Sequence, residues 1–216
     1  DIQNSSNGAW AKSITLSWEI TEEESGIAKV EYSTNNNSWN ELSKEEWNGL
    51  TRNNERNDML YIRVTDEVGN ISNIKSTTMK IDNTIPSATW NIGNNVYGNN
   101  GWYQSLSLQS TIKDSYGEIN TVRYCTTTES TCTPGTNASI SNNTFTVTLG
   151  SNASAQKVCT EVIDKAGNTS GVICSSSYSV DTTDPTATIS ASVSNNTITV
   201  RATGSDAHSG IASYQY

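Results

Sequence analysis

The sequence predicts an all-β fold made of sandwich-sized domains that follow one another along the chain. Three observations predict it: apolar and polar residues alternate in short segments, β-branched and aromatic residues outweigh strong helix formers, and several motifs recur after 98 or 99 residues. Only 33% of the residues are apolar. A two-sheet sandwich suits so thin a core, because a strand buries only every second side chain.

The first strong strand signal lies at Ser13–Ile20. Alternation there places Ile14, Leu16, Trp18 and Ile20 on one face and polar residues on the other. We therefore expect this segment to cover one side of a domain core.

Further elements follow in chain order. Ser43–Leu50 is the best helix candidate and is expected to form one or two turns in a crossover between strands. Leu60–Val64 and its counterpart Val158–Val162 alternate as strands do, with Cys159 expected to point outward. In the last part of the chain, the residues expected on the buried face are Ile198 and Val200.

One heptapeptide pattern follows both of those strands, as VTDEVGN at Val64–Asn70 and as VIDKAGN at Val162–Asn168. In a hairpin, the aspartate is expected to accept hydrogen bonds from the turn's own amides, and the glycine to adopt the positive φ of a type I turn with a G1 bulge. The asparagine is expected to accommodate unusual backbone angles. A metal loop would need oxygen ligands at alternate positions, which are missing. The predicted turn residues are Asp66, Gly69, Asn70, Asp164, Gly167 and Asn168.

The recurring motifs define a repeat of domain size. The segments Asp82–Pro86 and Asp181–Pro185 begin 99 residues apart, which is a β-sandwich period rather than a solenoid period. Residues 182–216 are too few for a whole sandwich, and part of a sandwich cannot bury its own apolar face. We therefore expect the sequence to be a segment of a longer series of such domains. The predicted domains are 1–82, which lacks its first strand, 83–181, and a partial third domain at 182–216.

The four cysteines favour disulfides over a zinc site. Cys159 and Cys174 are equidistant from the centre of the second turn, so we expect them to face one another and to pair. Cys125 and Cys132 bracket a short loop and are expected to pair as well. A crossed pairing stays open, whereas zinc is disfavoured because Cys-x-x-Cys ligand pairs are missing. Disulfides indicate an oxidising compartment.

The charge of the chain excludes several partners. A net charge of -9 and a pI near 4.5 argue against nucleic acid and against anionic lipid, both of which require a basic surface. No run of about 18 apolar residues suggests a membrane span. We therefore predict no nucleic-acid partner and no membrane insertion.

No catalytic constellation is apparent, and no enzyme is predicted. The only histidine, His208, falls in a predicted loop between strands, so a nucleophile–base pair is not indicated. The adjacent acids Glu22–Glu24 are expected in a solvated turn, because neighbouring loop carboxylates do not face each other across a cleft.

Short motifs keep one order along the chain: Gly-Trp at Gly101–Trp102 (Gly8–Trp10 in the first domain), acidic-Ser-Gly-Ile at Glu24–Ile27, Glu-Tyr-Ser at Glu31–Ser33, and Asp-Thr-Thr-Asp-Pro at Asp181–Pro185. Together with the Asp-x-x-Gly-Asn turns, they resemble bacterial immunoglobulin-like surface repeats, including the OmpL47-type group. The resemblance covers the whole chain. It implies tandem Ig-like β-sandwich domains arranged end to end, with no shared catalytic residues.

Two segments of the second domain depart from the pattern. Asp82–Pro86 reads Asp-Asn-Thr-Ile-Pro, and Ser115–Ile119 has Gly-Glu-Ile where the other domains have Ser-Gly-Ile. The match is therefore looser in this domain.

The expected function is a non-catalytic stalk or spacer in a bacterial cell-surface or secreted protein, or on a virion surface, as the resemblance implies. Its partners would be neighbouring Ig-like domains of a longer chain. The alternatives are an adhesive or carbohydrate-binding module that contacts a glycan or a host surface protein, and accessory domains of an extracellular hydrolase or a phage virion protein.

Two sets of residues are secondary candidates. Trp39 and Trp47 have no evident structural role and could form a ligand-binding surface. Calcium at the domain linkers is an alternative that we do not favour, and no cofactor is predicted. The carboxylates concerned are expected to be solvated turn residues: Asp82, Asp164, Asp181 and Asp184.

Overall fold

The computed structural model describes residues 1–150 and 152–215. The chain is all-β, as predicted. Within the described residues the only helix is a 3-10 turn at Lys44–Glu46, shorter than the helix expected over Ser43–Leu50 because strand pairing resumes at Gly49. No helix of this described part is long and apolar enough to cross a membrane.

The chain forms two compact units. The first contains Asp1–Pro86 together with Asp114–Asn120 and Ile163–Thr169, and the second contains the remaining residues. This division by contacts does not test the domain boundaries inferred from the repeat, which stay a prediction.

Seven strands of the first unit form a sandwich. A three-stranded sheet has the order β1-β2-β5, and a four-stranded sheet has the order β4-β3-β6-β7. The strands are β1 (Gln3–Asn4), β2 (Ile14–Ser17), β3 (Ile27–Ser33), β4 (Asn40–Glu41), β5 (Gly49–Arg52), β6 (Arg56–Asp66) and β7 (Lys75–Ile81).

Both sheets contribute to one core, as the alternation predicts. Ile14 and Leu16 of β2 are fully buried and belong to the same apolar cluster as Val30 of β3 and Leu60 of β6. Trp18 is buried as well, and its indole nitrogen donates a hydrogen bond to a backbone carbonyl at 2.6 Å. Two sheets that enclose one core in this way are an Ig-like β-sandwich, which confirms the predicted fold class.

The second unit is also all-β. One large sheet has the order β11-β10-β13-β15-β9-β12, with β14 paired to β13 and β8 paired to β9, and β16 and β17 form a separate hairpin. The strands are β8 (Ser87–Tyr97), β9 (Trp102–Lys113), β10 (Ile119–Thr127), β11 (Thr136–Asn137), β12 (Thr144–Leu149), β13 (Ala153–Asp164), β14 (Thr169–Cys174), β15 (Tyr178–Val180), β16 (Thr186–Ser194) and β17 (Thr197–Ser205).

Three expectations about side-chain direction were wrong. Cys159 is fully buried rather than outward-facing, because its sulfur is bonded to a neighbouring strand. Ile198 and Val200 are 69% and 62% exposed, because β17 pairs only with β16 and no second sheet covers this hairpin among the described residues.

Candidate functional site

The first Asp-x-x-Gly-Asn turn is held by its own aspartate. Asp66 Oδ1 accepts hydrogen bonds from the amides of Val68 (3.0 Å) and Asn70 (2.8 Å), and Gly69 has a φ of +97°. The aspartate and glycine thus have the geometry expected of a hairpin turn with a left-handed glycine.

The second turn shares the hydrogen bonds between the aspartate and the asparagine. Asp164 Oδ1 accepts the Asn168 amide at 2.8 Å, and Gly167 has a φ of +86°. The asparagine has a different role from the one expected, because neither Asn70 nor Asn168 has a positive φ. Instead, each side-chain amide donates to the aspartate Oδ2, at 2.7 Å in the first turn and 2.8 Å in the second.

The two turns differ in burial. Asn70 is exposed and Asp66 is half-buried, whereas Asp164 is 1% exposed and Asn168 is 6% exposed. The Asn168 side-chain amide also donates to the backbone carbonyl of Asp82 at 3.0 Å. The second turn is therefore packed onto the end of β7 within the first unit.

Asp82 follows β7 directly and is fully buried. Its amide donates to the Ala11 carbonyl at 3.0 Å, beside a parallel bridge between Ala11 and Ile81. Its Oδ1 accepts a hydrogen bond from the Thr84 amide at 2.8 Å.

The expectation that the linker carboxylates are solvated was therefore wrong for three of the four. Asp82, Asp164 and Asp181 are buried, and each accepts a hydrogen bond from a nearby backbone amide. Asp184 alone is exposed.

Three of the first unit's carboxylates converge and form what we call the acidic cluster: Asp82, Asp114 and Asp164. One oxygen atom of each lies within 4.8 Å of the others. Asp82 Oδ2 and Asp114 Oδ2 are buried and have no hydrogen-bond partner in the described structure. Unpaired buried carboxylate oxygens are costly, so this arrangement requires a physical explanation.

Gly117 makes the convergence possible. A Cβ atom added at this glycine would overlap Asp82 Oδ2 and would lie 3.2 Å from Asp114 Oδ2. The two unpartnered oxygens therefore border the same small space beside the glycine. Sequence reasoning missed Asp114, although a signal was present: Gly117 stands where the two Ser-Gly-Ile motifs have Ser25 and Ser209.

The cluster carries negative charge without a basic partner. Burial raises the pKa of the Asp114 carboxyl, and the nearby carboxylates of Asp82 and Asp164 raise it further. No ion pair recorded among residues 1–150 and 152–215 involves the cluster. The neighbouring Lys165 pairs with Glu118 instead.

The equivalent position in the second unit is satisfied by hydrogen bonds. Asp181 again donates its amide to a strand carbonyl, that of Tyr103 (2.9 Å), and its Oδ1 accepts the Thr183 amide (2.9 Å). Its Oδ2, however, accepts the Ser209 amide at 2.9 Å. The Thr183 amide, followed by the Ser209 side chain, lowers the pKa of Asp181 to about 2. This carboxylate therefore has no unpaired oxygen.

Both tryptophans suggested for ligand binding have partners within the protein. Trp39 is half-buried, with the Arg63 guanidinium 4.2 Å from its ring centroid. Trp47 packs against the core, and its indole nitrogen donates to the Leu42 carbonyl at 3.3 Å. A groove of about 410 Å³ in the first unit is lined by Trp18 and not by either of these residues. Their proposed binding role stays a prediction.

The four cysteines form the two predicted disulfides. Cys125 is bonded to Cys132, and Cys159 to Cys174. This is the local pairing and not the crossed one, and cysteines joined in disulfides do not offer thiolates to zinc. The second bond joins β13 to β14, next to the buried turn.

The remaining acid and histidine candidates do not form a reactive pair. Glu22 Oε1 accepts the amides of Glu24 and Ser25 at 3.0 Å each, which closes a local turn. His208 is exposed, and its amide donates to Asp206. Each of these groups stabilises its own loop.

Comparisons with known proteins add little to this description. No family model and no curated protein matches the chain. Among solved structures, it is similar to the fibronectin(III)-like modules of Clostridium thermocellum CbhA. That match covers 84% of this chain and 95% of the other, with 14% sequence identity and a TM-score of 0.34. The Ig-like assignment therefore rests on the strand order and the core described above.

Proposed function

We propose that the chain is a non-catalytic spacer of tandem Ig-like domains in a secreted or cell-surface bacterial protein. The observation that carries this proposal is the repeated local structure of the two turns. Asp66 and Asp164 make equivalent hydrogen bonds with the asparagine four residues later, which supports a module that has been copied along the chain.

The ends of the predicted domains support the same proposal. Ala11 pairs with Ile81 in parallel, and Tyr103 pairs with Val180 in parallel, before Asp82 and Asp181 respectively. Both aspartates then accept the amide of the residue two positions later. The partners of such a spacer are neighbouring domains of a longer chain.

The disulfides support an extracellular location. Two bonded pairs and no free cysteine are typical of proteins that fold in an oxidising compartment. This supports the bacterial surface or the secreted fraction over the cytosol, and it fits a virion surface equally well.

Small-angle X-ray scattering of the full chain tests the spacer role. Asp82–Pro86 and Asp181–Pro185 leave few free residues, and proline restricts the backbone, so we expect an extended particle with limited bending. As a control, a flexible Gly-Ser insertion after Thr183 should broaden the distance distribution. A compact particle whose scattering is unchanged by the insertion would contradict the proposal.

The adhesive alternative is less well supported, because Trp39 and Trp47 already have intramolecular partners. A glycan array probed with the full chain, with Trp39→Ala as the comparison, distinguishes the two functions. Binding that disappears in the variant would favour the adhesive role, and the absence of binding would favour the spacer.

A further inference from the structure

In the part of the chain that the structure describes, the acidic cluster brings two buried aspartates and the half-buried Asp114 together without a basic side chain in an ion pair with them. Asp82 is fully buried and Asp164 is 1% exposed, yet Asp82 Oδ2 has no partner. Burying a charge is strongly unfavourable unless the charge is paired. Something must therefore neutralise these oxygens when the protein is folded.

We propose that the acidic cluster binds one Ca²⁺ ion through carboxylate oxygens of Asp82, Asp114 and Asp164. Calcium ligands lie about 2.3–2.6 Å from the ion, so two ligands of one ion are separated by at most about 5 Å. The three carboxylate oxygens lie within 4.8 Å of one another, so a single ion can contact all of them.

The donor set selects a hard cation. All the donors are oxygens, which suits calcium or magnesium, whereas zinc prefers histidine and cysteine. The ligands come from three separate chain segments, and calcium accepts such irregular coordination more readily than magnesium, which requires a near-ideal octahedron. Calcium is therefore the ion that this site fits best.

Two uncharged neighbouring residues, Asn168 and Gly117, shape the site. Asn168 donates its side-chain amide to both Asp164 Oδ2 and the Asp82 carbonyl, and so holds two of the three ligands in place. Gly117 leaves the space into which Asp82 Oδ2 and Asp114 Oδ2 face.

The position around Asp181 provides an internal comparison. There Ser209 replaces the glycine, and its amide donates to Asp181 Oδ2. Because both carboxylate oxygens of Asp181 accept hydrogen bonds from backbone amides, Asp181 does not require an ion. The structure thus predicts one calcium site and not two.

The test is calorimetric titration of CaCl2 into the chelator-treated full chain, with thermal unfolding followed by circular dichroism. Wild type should bind one ion per chain with a Kd on the order of 10⁻⁴ M, as in extracellular calcium modules. Saturating calcium should then raise the Tm by about 5–10 °C.

Asp114→Asn is the most informative variant. It keeps the Oδ1 that accepts the Ser115 amide at 2.7 Å, and it replaces the unpartnered Oδ2 with an uncharged amide. In chelator it should be at least as stable as wild type, because one buried charge is removed. Calcium should bind at least ~10-fold more weakly and should raise the Tm little.

Gly117→Ser is the second variant, and it copies the residue found at Ser209. Its side chain should fill the space between the two unpartnered oxygens and abolish the calcium response. Asp184→Asn is the matched control, since it removes an exposed linker charge outside the cluster and should bind calcium as wild type does.

The proposal is overturned if wild type shows neither binding heat nor a Tm shift at about 10 mM calcium. It is also overturned if both cluster variants bind as wild type does, or if stability depends on pH and not on calcium, which would indicate a shared proton. It does not depend on the spacer role, which scattering tests separately, so either can fail alone.

Discussion

Arg63 joins a buried carboxylate to an aromatic ring on the surface of the first sandwich. Its Nε donates to Glu31 Oε2 at 2.9 Å while its guanidinium covers Trp39. Lys29 adds a second donor to Glu31, and Glu31 is only 7% exposed. The hydrogen bond from Arg63 is the main reason that the pKa of Glu31 lies below its usual value, with Lys29 contributing next among the groups that lower it.

This ion pair predicts a pH-dependent stability. Because the pKa of Glu31 is lower in the folded state, the pair stabilises the fold above the unfolded-state pKa of about 4.3 and is lost as the pH falls through the folded-state value. Glu31→Gln should cost about 2 kcal/mol at pH 7, and the difference from wild type should shrink toward pH 3 in urea unfolding experiments.

Glu41→Gln is the control, because Glu41 lies opposite Glu31 on β4 but is exposed and forms no ion pair with any residue that the structure describes. It should be within about 0.5 kcal/mol of wild type. A Glu31→Gln difference that stays constant from pH 7 to pH 3 would show that the charge of Glu31 is not what stabilises the fold.

At the scale of the element, the two hairpin turns depend on glycine backbone angles. Gly69 and Gly167 both have positive φ, and a Cβ atom at either position would meet no atom within 4 Å. The effect of alanine there is therefore backbone strain alone. Gly69→Ala and Gly167→Ala should each lower the free energy of unfolding by about 1–2 kcal/mol, and by similar amounts.

Gly135→Ala is the matched control in chemical denaturation, because its Cβ atom would also meet open space but its φ is not positive. It should be neutral or slightly stabilising. Equal effects at all three glycines would refute the left-handed turn as the reason for glycine at Gly69 and Gly167.

The two disulfides close loops of different length. The bond between Cys159 and Cys174 spans 15 residues and includes a fully buried sulfur, whereas the bond between Cys125 and Cys132 spans 7 residues. Loop entropy gives about 3 kcal/mol for the longer loop and about 2.4 kcal/mol for the shorter. Urea unfolding of the two double Cys→Ala variants should show the larger loss for the 159–174 pair, and the reverse order would contradict this account.

Local features of the sequence predicted much of the fold. Alternation in Ser13–Ile20 indicated the buried face of β2, and the distance of Cys159 and Cys174 from the turn centre indicated their bond, because hairpin geometry relates residues that are near in sequence. The exposure of β17 was not predicted, since alternation shows which side chains share a face and not whether anything covers that face.

The acidic cluster could not be predicted in the same way. Its three aspartates come from segments that are distant along the chain, so their meeting depends on tertiary structure. Asp82 and Asp164 were considered as linker carboxylates for calcium, but they were expected to be solvated, and Asp114 was not considered. Gly117, which interrupts the Ser-Gly-Ile pattern, was the sequence feature that marked the third segment.

The whole molecule carries a net charge of -9, and most of its carboxylates lie at the surface while a few are buried. Surface carboxylates keep such a chain soluble, but buried ones require a partner. The buried carboxylate of Asp181 obtains that partner from the backbone amides of Thr183 and Ser209. Asp82 accepts a backbone amide at Oδ1 but has no partner at Oδ2, and we infer that an ion supplies the missing partner.

The most direct measurement of this central claim is anomalous diffraction from crystals of the full chain grown with calcium. The account predicts one peak at about 2.3–2.6 Å from carboxylate oxygens of Asp82, Asp114 and Asp164, beside Gly117. A map without a peak there, or with a peak at Asp181 instead, would contradict it.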